Sequence, residues 1–79
     1  MDISPPSKAE DRVWMFQQKL IAARKAAGLT QQELGKLSGI DQRTISRIES
    51  SKTITPSLKI LIKYLCALGY ELDIVKSVI

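Results

Sequence analysis

Seventy-nine residues bound this chain to one small domain, and 12 Lys/Arg against 8 Asp/Glu give it a formal charge of +4. With no histidine and a single cysteine, it cannot form an internal disulfide and offers no basis for a zinc centre. No apolar run approaches the length of a membrane span or a signal-peptide core, so a cytoplasmic protein is expected.

Residues 1–7 read as a flexible arm that Pro5-Pro6 keeps out of any helix. Ser7 with Glu10 has capping-box spacing, so the first helix is predicted from Lys8 to Ala27, with Gly28 as its stop. Val13, Phe16, Leu20, Ala23 and Ala27 recur at helical spacing and should face the core. Trp14 and Ile21, with Gln18 between them, define a neighbouring stripe. It either widens that apolar face or docks a partner protein.

Leu29-Thr30, with Glu33 and Leu34 following, combine a capping box with a hydrophobic staple and predict a second helix. Ser38-Gly39 ends it. Asp41 can cap a third helix running to about Ser50. Ile45 and Ile48 share one face of that helix and should anchor it on the core. Arg43, Ser46, Arg47 and Ser50 lie opposite, and Gln42 sits nearer the flank in the first turn. Two short helices with a glycine turn, the second exposing planar forked side chains, form what a helix-turn-helix DNA reader requires. Arg matches the O6 and N7 of guanine, and Gln matches adenine. Solvation of an ordinary surface helix is the competing explanation for the same arginines.

Thr55-Pro56 marks a fourth helix start, with proline at the first position. Leu58, Leu61, Ile62 and Leu65 give this helix its buried side. Ile60, Tyr64 and Ala67 form a second apolar side suited to another subunit, and Gly69 is the stop. Cys66, flanked by Leu65 and Leu68, is expected as a buried thiol. From Tyr70 onward the apolar period shortens to two, with Tyr70, Leu72, Ile74 and Val78 alternating with mostly polar positions. That pattern predicts a short β-strand at about Glu71–Lys76, which needs a mate from a symmetry-related copy. A fifth helix is the competing reading.

The span from Phe16 to Gly69, including GLTQQELGKLSGIDQRTISRIESSKTITPSLKILIKYLCALG, resembles the DNA-binding domain of the phage repressor/Cro (XRE-type) family. The resemblance implies an all-α, lambda-repressor-like bundle of about four helices over residues 8–69; residues 70–79 remain the strand-bearing dimerisation tail that the period-two pattern predicts. It implies that Gln42, Arg43, Ser46 and Arg47 face bases, and that Gln31, Lys52, Thr53 and Thr55 hold phosphates. Arg24 and Glu49 would form a structural ion pair. Two positions depart from the family pattern: Ser51 stands where many members have glycine, and Ile54 where several have a basic residue.

The charge distribution agrees with that placement, because the balance from Lys19 to Lys63 is nine basic to three acidic residues. The helical domain followed by LGYELDI resembles HigA/HipB-type antitoxins. The expected function is therefore that of a sequence-specific repressor which autorepresses a toxin–antitoxin operon and neutralises the cognate toxin. Its expected partners are double-stranded DNA carrying an inverted-repeat operator, a second copy through Tyr70, Leu72 and Ile74, and a toxin contacting Trp14 and Ile21. A stand-alone phage or plasmid repressor is one alternative; a protein-interaction module that scarcely uses DNA is another. No catalytic constellation or cofactor motif is visible, so neither an enzyme nor a cofactor is expected.

Overall fold

The computed structural model describes the backbone of residues 5–76 and the side chains of residues 11–76. Four helices follow one another: α1 Pro5–Ala26, α2 Gln31–Ser38, α3 Gln42–Ser50 and α4 Leu58–Ala67. The beginning of the expected arm and the far end of the tail, including Val78, lie outside the described residues.

Helix α1 starts at Pro5, ahead of the predicted Lys8, so Ser7 lies inside the helix and does not cap it. Proline fits a first turn because the N–H it lacks would have no helical acceptor there. At the other end, Gly28 has φ 76°. Its N–H donates to the Lys25 carbonyl at 2.9 Å, and Leu29 N–H reaches back to the Arg24 carbonyl at 3.2 Å. Those paired bonds are a Schellman stop, which satisfies two of the last orphan carbonyls. Helix α4 ends in the same way, with Gly69 N–H to Cys66 at 3.0 Å and Tyr70 N–H to Leu65 at 2.9 Å.

The capping box at α2 is fully formed: Glu33 N–H donates to Thr30 Oγ1, and Thr30 N–H donates to Glu33 Oε1. Asp41 occupies the N-cap position of α3, but its side chain makes no capping bond, contrary to the sequence expectation. Its remaining contribution is a negative charge near the positive end of the helix dipole. Helix α4 is also shifted from prediction. Ser57, not Thr55, caps it, accepting from Ile60 N–H at 3.2 Å. Residues before a proline are driven toward extended backbone, and Ser57 is the next hydroxyl along the chain.

Leu20, Leu34, Ile40, Ile45, Tyr64 and Leu65 form the buried core, with Phe16, Leu29, Ile60 and Leu61 among the residues packed against it. Helix α2 packs on α3 and α4, and α1 packs on α3. Gly35 permits the α2–α3 approach, since a Cβ there would stand 3.0 Å from the Ile40 carbonyl oxygen and 3.6 Å from Ile45 Cδ1. Several predicted core positions are on the surface instead. Val13 is 39% exposed, Leu58 63% and Ile62 42%, whereas Tyr64, assigned to the outer side of α4, is fully buried. Helix α4 turns parts of both apolar sides inward: Leu61 and Leu65 pack in the core as expected, joined by Tyr64, whose hydroxyl finds a polar partner inside. Ala27 and Cys66 are exposed as well, so Cys66 is not a buried thiol.

No strand forms at residues 71–76 in the single chain. A strand is defined by its ladder to a neighbour, and no other described segment runs alongside to provide one. The side chains there stay on the surface, with Tyr70 53%, Leu72 42%, Ile74 95% and Val75 83% exposed.

Candidate nucleic-acid interface

Helix α3 separates its two faces sharply. Ile45 and Ile48 are 0% and 1% exposed, while Gln42, Arg43, Ser46, Arg47 and Ser50 all lie on the surface. None of the four expected base-reading side chains makes a hydrogen bond or ion pair with another described side chain. Two guanidinium groups, an amide and a hydroxyl therefore share an outward side of a short rigid rod. Their donors are free for external acceptors.

What holds the rod is a polar cluster centred on Glu49 near its C-terminus. Arg24 of α1 meets the Glu49 carboxylate with both arms, Nε to Oε2 and Nη2 to Oε1, each at 2.8 Å. Its Nη1 donates to the Leu29 carbonyl at 2.7 Å. Tyr64 of α4 donates its hydroxyl proton to Glu49 Oε2 at 2.6 Å, with the Leu20 carbonyl 3.2 Å away. Gln31 of α2 adds Nε2 to Oε1 at 3.0 Å. One carboxylate thus joins all four helices. Burial by itself would raise the Glu49 pKa, but the bonds from Arg24, Tyr64 and Gln31 outweigh it and hold the carboxyl below its ordinary range. The bond to Glu49 and its negative charge raise Arg24, against the opposing effect of burial. Burial, then the adjacent carboxylate, push the Tyr64 phenol well above its usual value.

The Arg24–Glu49 pair is present as the family resemblance implied, but Tyr64 and Gln31 were not anticipated as its partners. Gln31 was expected at a phosphate. Its amide nitrogen gives one of two protons to Glu49, which leaves the other and the Gln31 and Gln32 backbone N–H groups for an anion, the Glu33 N–H being taken by Thr30.

Lys52, Thr53 and Thr55 are all exposed in the loop between α3 and α4. Ser51 there has φ −122° and ψ 123°, an extended conformation that makes no demand for glycine. Its hydroxyl lies 2.9 Å from Thr53 Oγ1 and accepts the Thr53 N–H at 3.3 Å, so the loop is braced by its own side chains. Sequence reasoning missed Gln17. It is 1% exposed, and its Nε2 donates to the Ile48 carbonyl at 2.8 Å and to the Ile54 carbonyl at 3.1 Å. The available signal was spacing: Gln17 lies three residues after Trp14, four before Ile21 and seven before Arg24, on one face. That face is turned to α3, and Trp14 and Ile21 beside it are half-buried.

Two helices locked at a glycine turn, the second presenting an unpaired basic side, define a helix-turn-helix protein. The Helix-turn-helix family model matches residues 20–75, and the chain belongs to that family. Among its relatives is an uncharacterized HTH-type transcriptional regulator of Haemophilus influenzae, 44% identical over 57 residues that cover 72% of this chain. The match spans 57% of that relative's length. A solved toxin–antitoxin module from Streptococcus pneumoniae superposes with a TM-score of 0.76 at 29% identity, covering 95% of this chain and 83% of the other.

Proposed function

We propose that this protein is a DNA-binding transcriptional repressor, the antitoxin of a toxin–antitoxin operon whose promoter it occupies. The observation that carries the reading is the free outward side of α3, where Gln42, Arg43, Ser46 and Arg47 stand exposed on a helix fixed from behind by Glu49. Arg43 and Arg47 read guanine edges, Gln42 enters with the first turn, and Ser46 lies between them. Gln31, Lys52, Thr53 and Thr55 hold the flanking phosphates and set the register. Repression needs no bond-making: the bound protein covers sequence that polymerase requires, so the protein acts by occupancy and not as an enzyme.

A two-fold dimer would place two such helices about 34 Å apart, one turn of B-DNA, which makes the operator an inverted repeat. The exposed apolar side chains of Tyr70, Leu72 and Ile74 support pairing of the tail with a second copy, completing the ladder that one chain lacks. Leu58 and Ile62, one turn apart on the open side of α4, would be covered in the same assembly. The regulator name of the Haemophilus relative and the toxin–antitoxin title of the Streptococcus structure support the role. The half-exposed edges of Trp14 and Ile21 are the surface we assign to the toxin. The proposal places the protein in the cytoplasm, where its promoter is.

An electrophoretic shift with the protein's own upstream region tests the DNA reading. An inverted repeat should compete far better than random duplex, and equal competition would remove sequence-specific repression. Co-purification of the product of the adjacent reading frame tests the antitoxin role; a neighbour that neither binds nor is neutralised leaves a repressor alone.

A further inference from the structure

We infer that Gln17 is a positioning residue for DNA binding, setting the loop that carries Lys52, Thr53 and Thr55 against the end of the recognition helix. The inference rests on the DNA-binding reading above. Ile48 is among the last residues of α3, where carbonyls have no helical N–H to receive. The next helical turn is missing, and the chain leaves instead through Ser51 in an extended conformation. One amide nitrogen from α1 closes the gap, giving one proton to Ile48 and the other to Ile54. The two carbonyls bracket the segment from Glu49 to Thr53, so a single side chain pins both of its ends.

The consequence for function is directional. With the Ile54 carbonyl drawn inward, Ile54 is half-buried while Lys52, Thr53 and Thr55 stand on the surface. The internal Ser51–Thr53 bonds shape the turn but attach it to nothing else. Gln17 supplies that attachment at a position inaccessible to solvent. Its Oε1 is buried without a partner, a cost tolerated where the two donated bonds are needed. Reversing the amide would set oxygen against two carbonyl oxygens, so the donor assignment follows from the acceptors.

The test is a double-mutant cycle on operator binding with Gln17→Met and Lys52→Ala, each measured across a salt series in the full chain. Lys52→Ala should flatten the log–log salt slope by about 0.9, the loss of one phosphate contact. Gln17→Met should flatten it comparably without changing which bases are preferred, and the double variant should add little to either single one. Circular dichroism and thermal unfolding establish that each protein is folded under binding conditions. If the methionine variant does not fold, Gln17→Asn carries the same cycle, since it keeps the amide but is one methylene short of spanning both carbonyls. A folded Gln17 variant with the native salt slope, or full additivity with Lys52→Ala, overturns the inference. Failure of the unaltered protein to bind any duplex overturns the DNA reading itself, a separate and recognisable result.

Discussion

Removing the charge of Glu49 by Glu49→Gln should be among the costliest single changes in the domain. The native carboxylate receives two bonds from Arg24, one from Tyr64 and one from Gln31. The glutamine has one acceptor oxygen, and its own amide donors face the guanidinium. Arg24, only 7% exposed, is left as a buried cation without a counter-charge. Breaking a buried pair from one side costs about 3–5 kcal/mol, against a total of about 4–12 kcal/mol for a domain of this size. At about 4–8 °C per kcal/mol, the melting midpoint should fall by at least about 12 °C. Urea denaturation is the assay, with an unchanged m-value showing that stability alone has moved. Arg24→Met with Glu49→Leu removes both charges and should cost less than either charge removed alone, because no unpaired ion remains. A loss below about 1 kcal/mol for Glu49→Gln, or a double variant that costs the sum of its singles, would refute the reasoning. The pH dependence follows from the same contacts. The folded pKa of Glu49 lies below its ordinary 4.5, so its contribution is present above that value and is lost as pH falls through the lower folded pKa. Tyr64 is raised above its ordinary 10.0, so its share holds below that value and disappears as pH climbs toward the folded one. Tyr64→Phe should erase its own alkaline loss and leave a smaller acid one, because Arg24 and Gln31 still bond Glu49 while one of its three partners is gone.

Arg43→Ala and Arg47→Ala should each weaken operator binding by about 1–3 kcal/mol and relax preference at one base position, measured by titration against single-base operator variants. Unchanged affinity in both would remove α3 as the reading element. Truncation after Gly69 should move the protein toward monomer in sedimentation, with Leu72→Asp as a milder version; an unaltered dimer would take the tail out of assembly. Gly35→Val should destabilise by about 1–3 kcal/mol, since even the first added carbon meets the Ile40 carbonyl oxygen at 3.0 Å. Thermal unfolding at the native midpoint would mean that α2 and the turn into α3 can separate without cost.

Local chemistry made much of this protein legible from its residues alone. The Thr30–Glu33 capping box and the stops at Gly28, Gly39 and Gly69 depend on neighbours within one turn, and each formed where the chain order placed it. The two faces of α3 were equally readable, because isoleucines three apart fix a rotation and send the arginines outward. The tertiary structure decided the rest. Gln17 reaches a carbonyl 31 positions away, and Tyr64 and Gln31 meet Glu49 across 15 and 18. No pattern inside a helix encodes such meetings; they exist only once the helices have crossed. The same limit misassigned part of α4: Leu61 and Leu65 reached the core as expected, but Leu58 and Ile62 did not, and Tyr64 was buried where its phenol had an acceptor waiting. It also governs residues 71–76, whose alternation is a local property while a strand needs a ladder to a neighbour, which no pattern within the segment can supply.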